Sequence, residues 1–549
     1  MSANRSSQSN TNYLNSFTIK DGIIKGQDCP FLERGQVSFG QYLLDRMRKN
    51  RKLTGQIDTT TGNKDSFESM IDRSIRCALW LQSEGIKSGD TIAICTHNHK
   101  DQIIPALASL YIGAVFNPWW DHGLTKDIAK HFANLVEPKV LFVNEMWSKL
   151  SAEVTKEVKP DLKIVVFGHA PGLESFEKII SKPGTVEVAN FKCATLPSVE
   201  HPALILYTSG TTGLPKGALH SQKSLFGNIK LAEEVNSRCH SALCYSTLCW
   251  VTGIFCSFLA ITKGMTRNIP GPFEEEDACR IIQNYKIDWI LSGTSMANRL
   301  LKSGFISKYD VSSVTDIHVG GAPLKDETQV ELRKAFKNAS VVQLYGATEL
   351  GGIATMQDEH YKKNSVGNVV KNCQLKVIDP ETNKILGPNQ QGELCAKTPH
   401  MMTGYWRNPE KTKEAIDPEG WYHTGDLAYY DEDGAIFIIE RLKELIKWRG
   451  HHVPPAVIEK LIQTLPGVSE VAVVGVPDLE DDERPLAIVT LAPNSKVTEQ
   501  EIHQLVDKNL PDQMRLRAGI KFVDQIPHTA SGKISRTELK AIAKTFSRD

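Results

Sequence analysis

The chain has 549 residues, 41% hydrophobic and 23% charged, with 64 Lys+Arg balanced by 64 Asp+Glu for a net charge of zero. That length is too great for one core and predicts three or four packed units; the neutral balance argues against a nucleic-acid partner, a local basic face aside. Eleven cysteines, scattered from Cys29 to Cys395 without a Cys-x-x-Cys pair, read as reduced thiols of an intracellular compartment, and no Cys/His grouping has the spacing of a structural metal site.

In chain order, the first fifteen residues are polar and carry no apolar signal core. Apolar spacing predicts a helix over 67–81, a strand over 91–95, a helix over 103–115 and a strand over 139–143. The run at 203–207 reads as a buried strand, and a helix-like stretch opens near Ser221 and reaches Leu231. The best apolar run, 254–261, is about half the ~18 residues a membrane span needs, so no integral membrane segment is expected. A strand at 314–319, a helix at 324–336 and a strand at 340–344 make a βαβ unit. Such alternation predicts an α/β protein with doubly wound parallel sheets and ligands at the strand C-terminal ends. From 370 to 440 short strands alternate with turns such as Asp431-Glu432-Asp433-Gly434, a small β-rich subdomain. Beyond Glu440 comes an α+β unit, with helices near 456–464, 499–508 and 537–544 and strands at 470–476 and 486–491. The expected division is therefore a large domain, 1–440, and a small mobile domain, 441–549. The run Glu480-Asp481-Asp482-Glu483 reads as a solvated loop.

The most informative stretch is Ser209-Gly210-Thr211-Thr212-Gly213-Leu214-Pro215-Lys216-Gly217-Ala218, placed between the 203–207 strand and the helix that follows. Glycines let backbone N–H groups converge on oxygens, hydroxyls donate further bonds and a lysine adds a point charge, which together make a phosphate cradle. A Walker loop ends in Gly-Lys-Ser/Thr, whereas Pro215 precedes and Gly217 follows Lys216, so this is a different nucleotide loop. Two weaker loops close strands of the βαβ unit. Gly320-Gly321-Ala322-Pro323 lets an aromatic base lie close to backbone, and Gln343-Leu344-Tyr345-Gly346-Ala347-Thr348-Glu349 puts a ring, a hydroxyl and a carboxylate at one crevice.

Together these stretches resemble the adenylate-forming superfamily: acyl-CoA synthetases, 4-coumarate–CoA ligases, beetle luciferases and amino-acid adenylation domains. The likeness runs from about residue 40 to 545 and is greatest to insect luciferase-like fatty acyl-CoA synthetases. It implies that ATP is bound by Thr208, Ser209, Gly210, Thr211, Thr212, Gly213 and Lys216, and by Gly321, Ala322, Pro323, Gln343, Leu344, Tyr345, Gly346 and Ala347. Tyr345 then packs on adenine, Thr348 serves the α-phosphate side, and Glu349 with Thr208 holds Mg²⁺, a hard cation suited to oxygen ligands. Trp421-Tyr422-His423-Thr424-Gly425-Asp426 resembles the ribose motif, with Arg441 sharing the ribose, although Asp426 by itself reads as a turn or cap aspartate. In Arg441-Leu442-Lys443-Glu444-Leu445-Ile446-Lys447-Trp448-Arg449-Gly450 the hinge position falls on Lys443 and the lysine of the second half-reaction on Lys447. Arg449 and Gly450 match the pair that lies along coenzyme A. Arg449 stands where Lys is usual and Val457 where Glu is usual; neither change removes an obligatory catalytic group. Adjacent His451 and His452 lack further ligands and read as surface residues. Pro527-His528-Thr529-Ala530-Ser531-Gly532-Lys533 resembles the C-terminal motif whose lysine drives adenylation.

One departure bears on the substrate. In Ser246-Thr247-Leu248-Cys249-Trp250-Val251-Thr252-Gly253, Trp250 replaces the histidine of luciferases and coumarate ligases, and indole offers only one N–H. Trp250 reads either as a core side chain or as an apolar gate over an acyl channel whose other members are Thr252, Gly253 and Gly320. The expectation is an AMP-forming acid–thiol ligase that converts a carboxylic acid, a medium- or long-chain fatty acid, to acyl-AMP and then to acyl-CoA. A luciferase-type oxygenase and an inactive acyl- or nucleotide-binding homologue stand as alternatives. A peptide-synthetase module is disfavoured because no carrier domain follows Asp549. A cytoplasmic monomer or homodimer is expected; a peroxisomal location is the alternative, although the C-terminus lacks Ser-Lys-Leu.

Overall fold

Thr91–Cys95, Val115–Pro118 and Val140–Asn144 are buried at every position, as parallel strands covered on both faces must be. The computed structural model describes residues 16–544 apart from 33–34, 36, 209–213, 237, 450 and 529–533. In its first sheet the order is Gly404–Tyr405, Lys216–Ser221, Pro202–Thr208, Val115–Pro118, Thr91–Cys95, Val140–Asn144, Lys163–Phe167 and Glu174–Ser175. Neighbours from Pro202–Thr208 onward run parallel, whereas Lys216–Ser221 returns antiparallel and Gly404–Tyr405 pairs antiparallel beyond it. A second sheet of nine strands has Asp316–Gly320 and Ser340–Ala347 side by side and parallel, the expected βαβ unit closed by helix Asp326–Ala335.

Helices fill the space between these sheets. One hydrophobic cluster joins Phe39, Trp80, Leu107, Phe226 and Phe258 from five helices to Ile92 and Leu206 of the first sheet and Ala242 and Trp289 of the second. Helix Ile104–Ile112 is apolar all round because it is buried at all nine positions. Truncating Phe226 to alanine in this layer would cost about 3–5 kcal/mol. Outer helices Lys126–Val136 and Glu145–Val158 cover the far face of the first sheet, and Glu275–Tyr285 and Asp326–Ala335 that of the second.

Compactness divides the chain into one unit of 1–375 with 396–422 and a second of 376–395 with 423–549. In the second, the 423–430 part of strand Tyr422–Tyr430 pairs antiparallel with Ile436–Arg441 through the Asp431–Gly434 turn. Further on, Val468–Asp478 and Asp482–Leu491 form a long hairpin flanked by helices Pro455–Ile462, Glu499–Asn509 and Arg536–Lys544. Among the described residues no helix is long and apolar enough to cross a membrane.

Three local expectations change. The helix expected over 103–115 stops at Ile112, where Gly113 takes φ +74° as a left-handed cap, and Val115 already opens a strand. The helix expected from near Ser221 is present as Gln222–Val235, capped by Ser221, but the glycine- and hydroxyl-rich stretch does not adjoin it, because Lys216–Ser221 intervenes as a strand. Strand 216–221 is largely buried, so it lacks the polar–apolar alternation that would reveal it. Finally, the acidic run is not a free loop, because Asp481 is 2% exposed. Its carboxylate pairs with Arg484 and Arg449, which hold it low, at about 2.

Candidate active site

Pro202–Thr208 and Lys216–Ser221 form a hairpin whose last pair is Thr208 opposite Lys216. The connecting Ser209, Gly210, Thr211, Thr212 and Gly213 lie outside the described residues. At the mouth of this hairpin the Lys216 ammonium sits 4.2 Å from the centre of the Tyr405 ring. The Tyr405 hydroxyl donates to Glu349 Oε1 at 2.8 Å, and Thr208 hydrogen-bonds the same phenol. Burial pushes the Tyr405 phenol up, and the neighbouring Glu349 carboxylate adds to the rise, so it remains a donor. Burial lowers Lys216, and Glu349 opposes that fall. Thr208, Lys216 and Glu349, all expected from the sequence, thus converge on one residue that sequence reasoning missed. Tyr405 lies far from them in the chain and reaches them only because Gly404–Tyr405 pairs with Ala218 and Leu219 of the hairpin; no local signal marks it.

The adenine loops are built by the parallel register Val319–Gln343. Asp316–Gly320 ends at Gly320, and Gly321 follows at φ +84°, a conformation that favours glycine. The Ala322 carbonyl accepts from the Thr294 hydroxyl at 2.9 Å, which fixes the turn before Pro323. Gln343 is buried, with its N–H donating to Gln357 Oε1 at 2.8 Å. Leu344, Tyr345, Gly346 and Ala347 continue the strand, which bulges between Tyr345 and Gly346 and folds back onto Gly352–Met356. Tyr345, Thr348 and Glu349 are half-buried on this hairpin. Fully buried His220, held neutral by burial with its pKa at about 4, stands beside the Thr348 backbone.

The Trp250 segment forms a tight turn before helix Val251–Lys263. A Cβ on Gly253 would lie 2.0 Å from the Thr247 carbonyl oxygen, so only glycine fits there. Thr252 donates to the Ser246 hydroxyl at 2.8 Å, and Thr247 donates to buried Asp121 at 2.9 Å. Trp250 itself is half-buried rather than enclosed in the core.

In the second unit Asp426 and Arg441 are cross-strand partners, their side chains 2.8 Å apart. Arg441 also donates to the Thr424 carbonyl at 2.8 Å. Asp426 is 4% exposed, and it is a strand residue rather than a turn or helix cap. Glu393 supports the same segment: Oε1 accepts the Gly425 N–H at 3.0 Å and Oε2 the His423 Nδ1–H at 2.9 Å. The Cys395 thiol and Glu393 raise His423 to about 10. Lys443 follows Arg441 in a short 3₁₀ turn, its pKa lowered by burial. Exposed Lys447 lies on Ile446–Trp448, opposite His452. Arg449 adopts φ +46° and is tied to Asp481. Gly450 and Lys533 lie outside the described residues.

Family models match two stretches of the chain. Residues 46–406 match the model of the AMP-binding enzyme family, and 457–533 match that of the AMP-binding enzyme C-terminal domain. A luciferin 4-monooxygenase of Luciola mingrelica is 33% identical, across 96% of this chain and 98% of its own length. The 4-coumarate–CoA ligase 2 of Petroselinum crispum is 32% identical, across 91% and 93%. Among solved structures, ATP-bound MatB of Rhodopseudomonas palustris superposes with a TM-score of 0.84 at 25% identity, covering 92% of this chain and 99% of that one. The luciferase-like enzyme of the nonluminescent Zophobas morio mealworm gives 0.73 at 31% identity, covering 77% and 100%. The chain is a member of the AMP-binding, adenylate-forming enzyme family.

Proposed function

We propose that this protein is an AMP-forming acyl-CoA synthetase. A carboxylate attacks the α-phosphate of ATP to give acyl-AMP and pyrophosphate, and the thiol of coenzyme A then displaces AMP to give acyl-CoA. The observation that carries the reading is the convergence of Thr208, Lys216 and Glu349 at the hairpin mouth, a cation beside an all-oxygen donor set. Those oxygens fit magnesium, which Glu349 and Thr208 would hold and which, when bound, neutralises charge on the phosphates. Lys216 places a fixed positive charge at the hairpin, Tyr345 offers a ring to adenine, and Asp426 accepts from a ribose diol. Lys533 serves adenylation and Lys447 thioester formation, exchanged by rotation of residues 441–549 about Lys443. Arg449 and Gly450 lie along coenzyme A, and Thr348 contacts the α-phosphate.

For the acid we propose a medium- or long-chain fatty acid gated by Trp250, with Thr252, Gly253 and Gly320 on the channel. The replacement of histidine by half-buried indole supports an apolar acyl group. Pyrophosphate release with fatty, aryl and amino acids, with and without coenzyme A, tests both levels. Acceleration by fatty acids alone is the expected result, and an exclusive response to coumarate-type acids would discard the fatty-acid assignment. The luciferin 4-monooxygenase relatives support a second reading, oxygenation of an acyl-adenylate. Light emission with luciferin, ATP and oxygen would favour it.

A further inference from the structure

Spacing along the chain hides one side-chain cluster that the fold assembles. Strand Gly392–Lys397 carries Glu393 and Cys395, and strand Tyr422–Tyr430 carries His423. One ligand-type atom from each of the three lies within 4.8 Å of the others. The His423 Nδ1 stands 2.9 Å from Glu393 Oε2 and 3.7 Å from the Cys395 sulfur. A tetrahedral ion with metal–sulfur near 2.3 Å and metal–nitrogen or –oxygen near 2.0–2.1 Å separates nitrogen from sulfur by about 3.6 Å and nitrogen from oxygen by about 3.4 Å. The nitrogen–sulfur separation already fits, the His–Glu pair must open by about 0.5 Å, and the sulfur and carboxylate oxygen lie within 4.8 Å of each other.

We propose that Glu393, Cys395 and His423 form a binding site for a borderline divalent cation of the zinc class. One thiolate, one imidazole and one carboxylate exclude the hard, all-oxygen cations magnesium and calcium. Glu393 can coordinate through Oε2 while Oε1 keeps the Gly425 N–H, so the segment before Asp426 stays anchored. The Glu393 and His423 side chains are 13% and 24% exposed, which leaves an entry path and a fourth position for water, whereas Cys395 is fully buried. On binding, the ion replaces the thiol proton and the proton on Nδ1, both of which leave, and the ring keeps a proton on Nε2. Occupancy cross-links two strands that ordinary hydrogen bonds already pair, stiffening Thr424-Gly425-Asp426.

Cobalt(II) titration of the full chain tests the site. The expected result is one equivalent bound, with a near-ultraviolet sulfur-to-cobalt band and visible bands of four-coordinate cobalt, displaced by zinc. Cys395→Ser should abolish the sulfur band. His423→Gln and Glu393→Gln should each weaken binding by at least the ~10–100-fold that loss of a mere outer-shell partner costs. Should the buried thiol variant fail to fold, His423→Gln decides, because its site is partly exposed. No cobalt spectrum at millimolar metal, or the same sulfur band in wild type, Cys395→Ser and His423→Gln, would overturn the site. The readout is independent of ATP and coenzyme A.

Discussion

The two charged sites are joined across different distances in the chain. Glu349 and Tyr405 lie 56 residues apart and meet only because the short Gly404–Tyr405 strand is the outermost member of the first sheet. Asp426 and Arg441 lie on adjacent strands of one hairpin, and register alone sets them opposite each other. Around Tyr405 burial is the leading influence on both the phenol and Lys216. At the hairpin Arg441 is 48% exposed, so solvent screens its pair with Asp426. Strand pairing builds both, but the site joined from distant strands around buried Tyr405 is set by desolvation, and the hairpin pair, whose arginine is half-exposed to solvent, is set by pairing. Removing a group should therefore be felt more sharply at the first.

The largest effect is expected from Glu349→Gln. It should slow pyrophosphate release by about 10²–10³-fold, the scale of losing one preorganised electrostatic group, and raise the magnesium concentration needed. Measured rates across a magnesium series check this, and an unchanged dependence would remove Glu349 from the ion's site.

Acid should act next, through the larger unit. Burial holds His220 and His400 down at about 4, against an ordinary value near 6.5. Because the folded value lies below the unfolded one, unfolding takes up protons as pH falls. The stability these neutral imidazoles contribute is fully present above about pH 6.5 and is lost toward pH 4. Complete loss for one such group corresponds to roughly 3 kcal/mol at about 1.4 kcal/mol per pH unit. Denaturant melts from pH 7 to 4 should show the decline, and His220→Gln should flatten it.

Asp426→Ala should raise KM for ATP by about 10–100-fold, the 1.5–3 kcal/mol worth of charged hydrogen bonds. Melting should move little, because the screened ion pair contributes about 0–1 kcal/mol. A large drop in melting temperature with KM unchanged would make the pair structural. The mildest change is Tyr405→Phe, which keeps a ring face for Lys216 but removes the donor to Glu349. A shift of about ten-fold or less in half-saturating magnesium is expected, from a hydrogen bond worth about 1 kcal/mol. Tyr405→Ala should exceed it, since the ring that carries Lys216 is lost too.

The sequence by itself determined the family and most elements, because those signals are local. Thr91–Cys95 lies where its apolar run placed it, and the βαβ unit ending at Ser340–Ala347 followed from periodicity. Asp426 and Arg441 were each marked by the family resemblance, but their pairing across strands came only with the hairpin. Strand Lys216–Ser221 was not legible, since a buried strand carries no alternation, although the helix capped by Ser221 that follows it was. Asp481 was misread because acidic residues usually face water; Arg484, three residues on, and Arg449, distant in the chain, outweigh that tendency. Tyr405 at the hairpin and the Glu393–Cys395–His423 cluster were decided by tertiary structure alone. Their members are distant in the chain or on opposed strands, and hydrogen-bonded register brings together what no spacing rule connects.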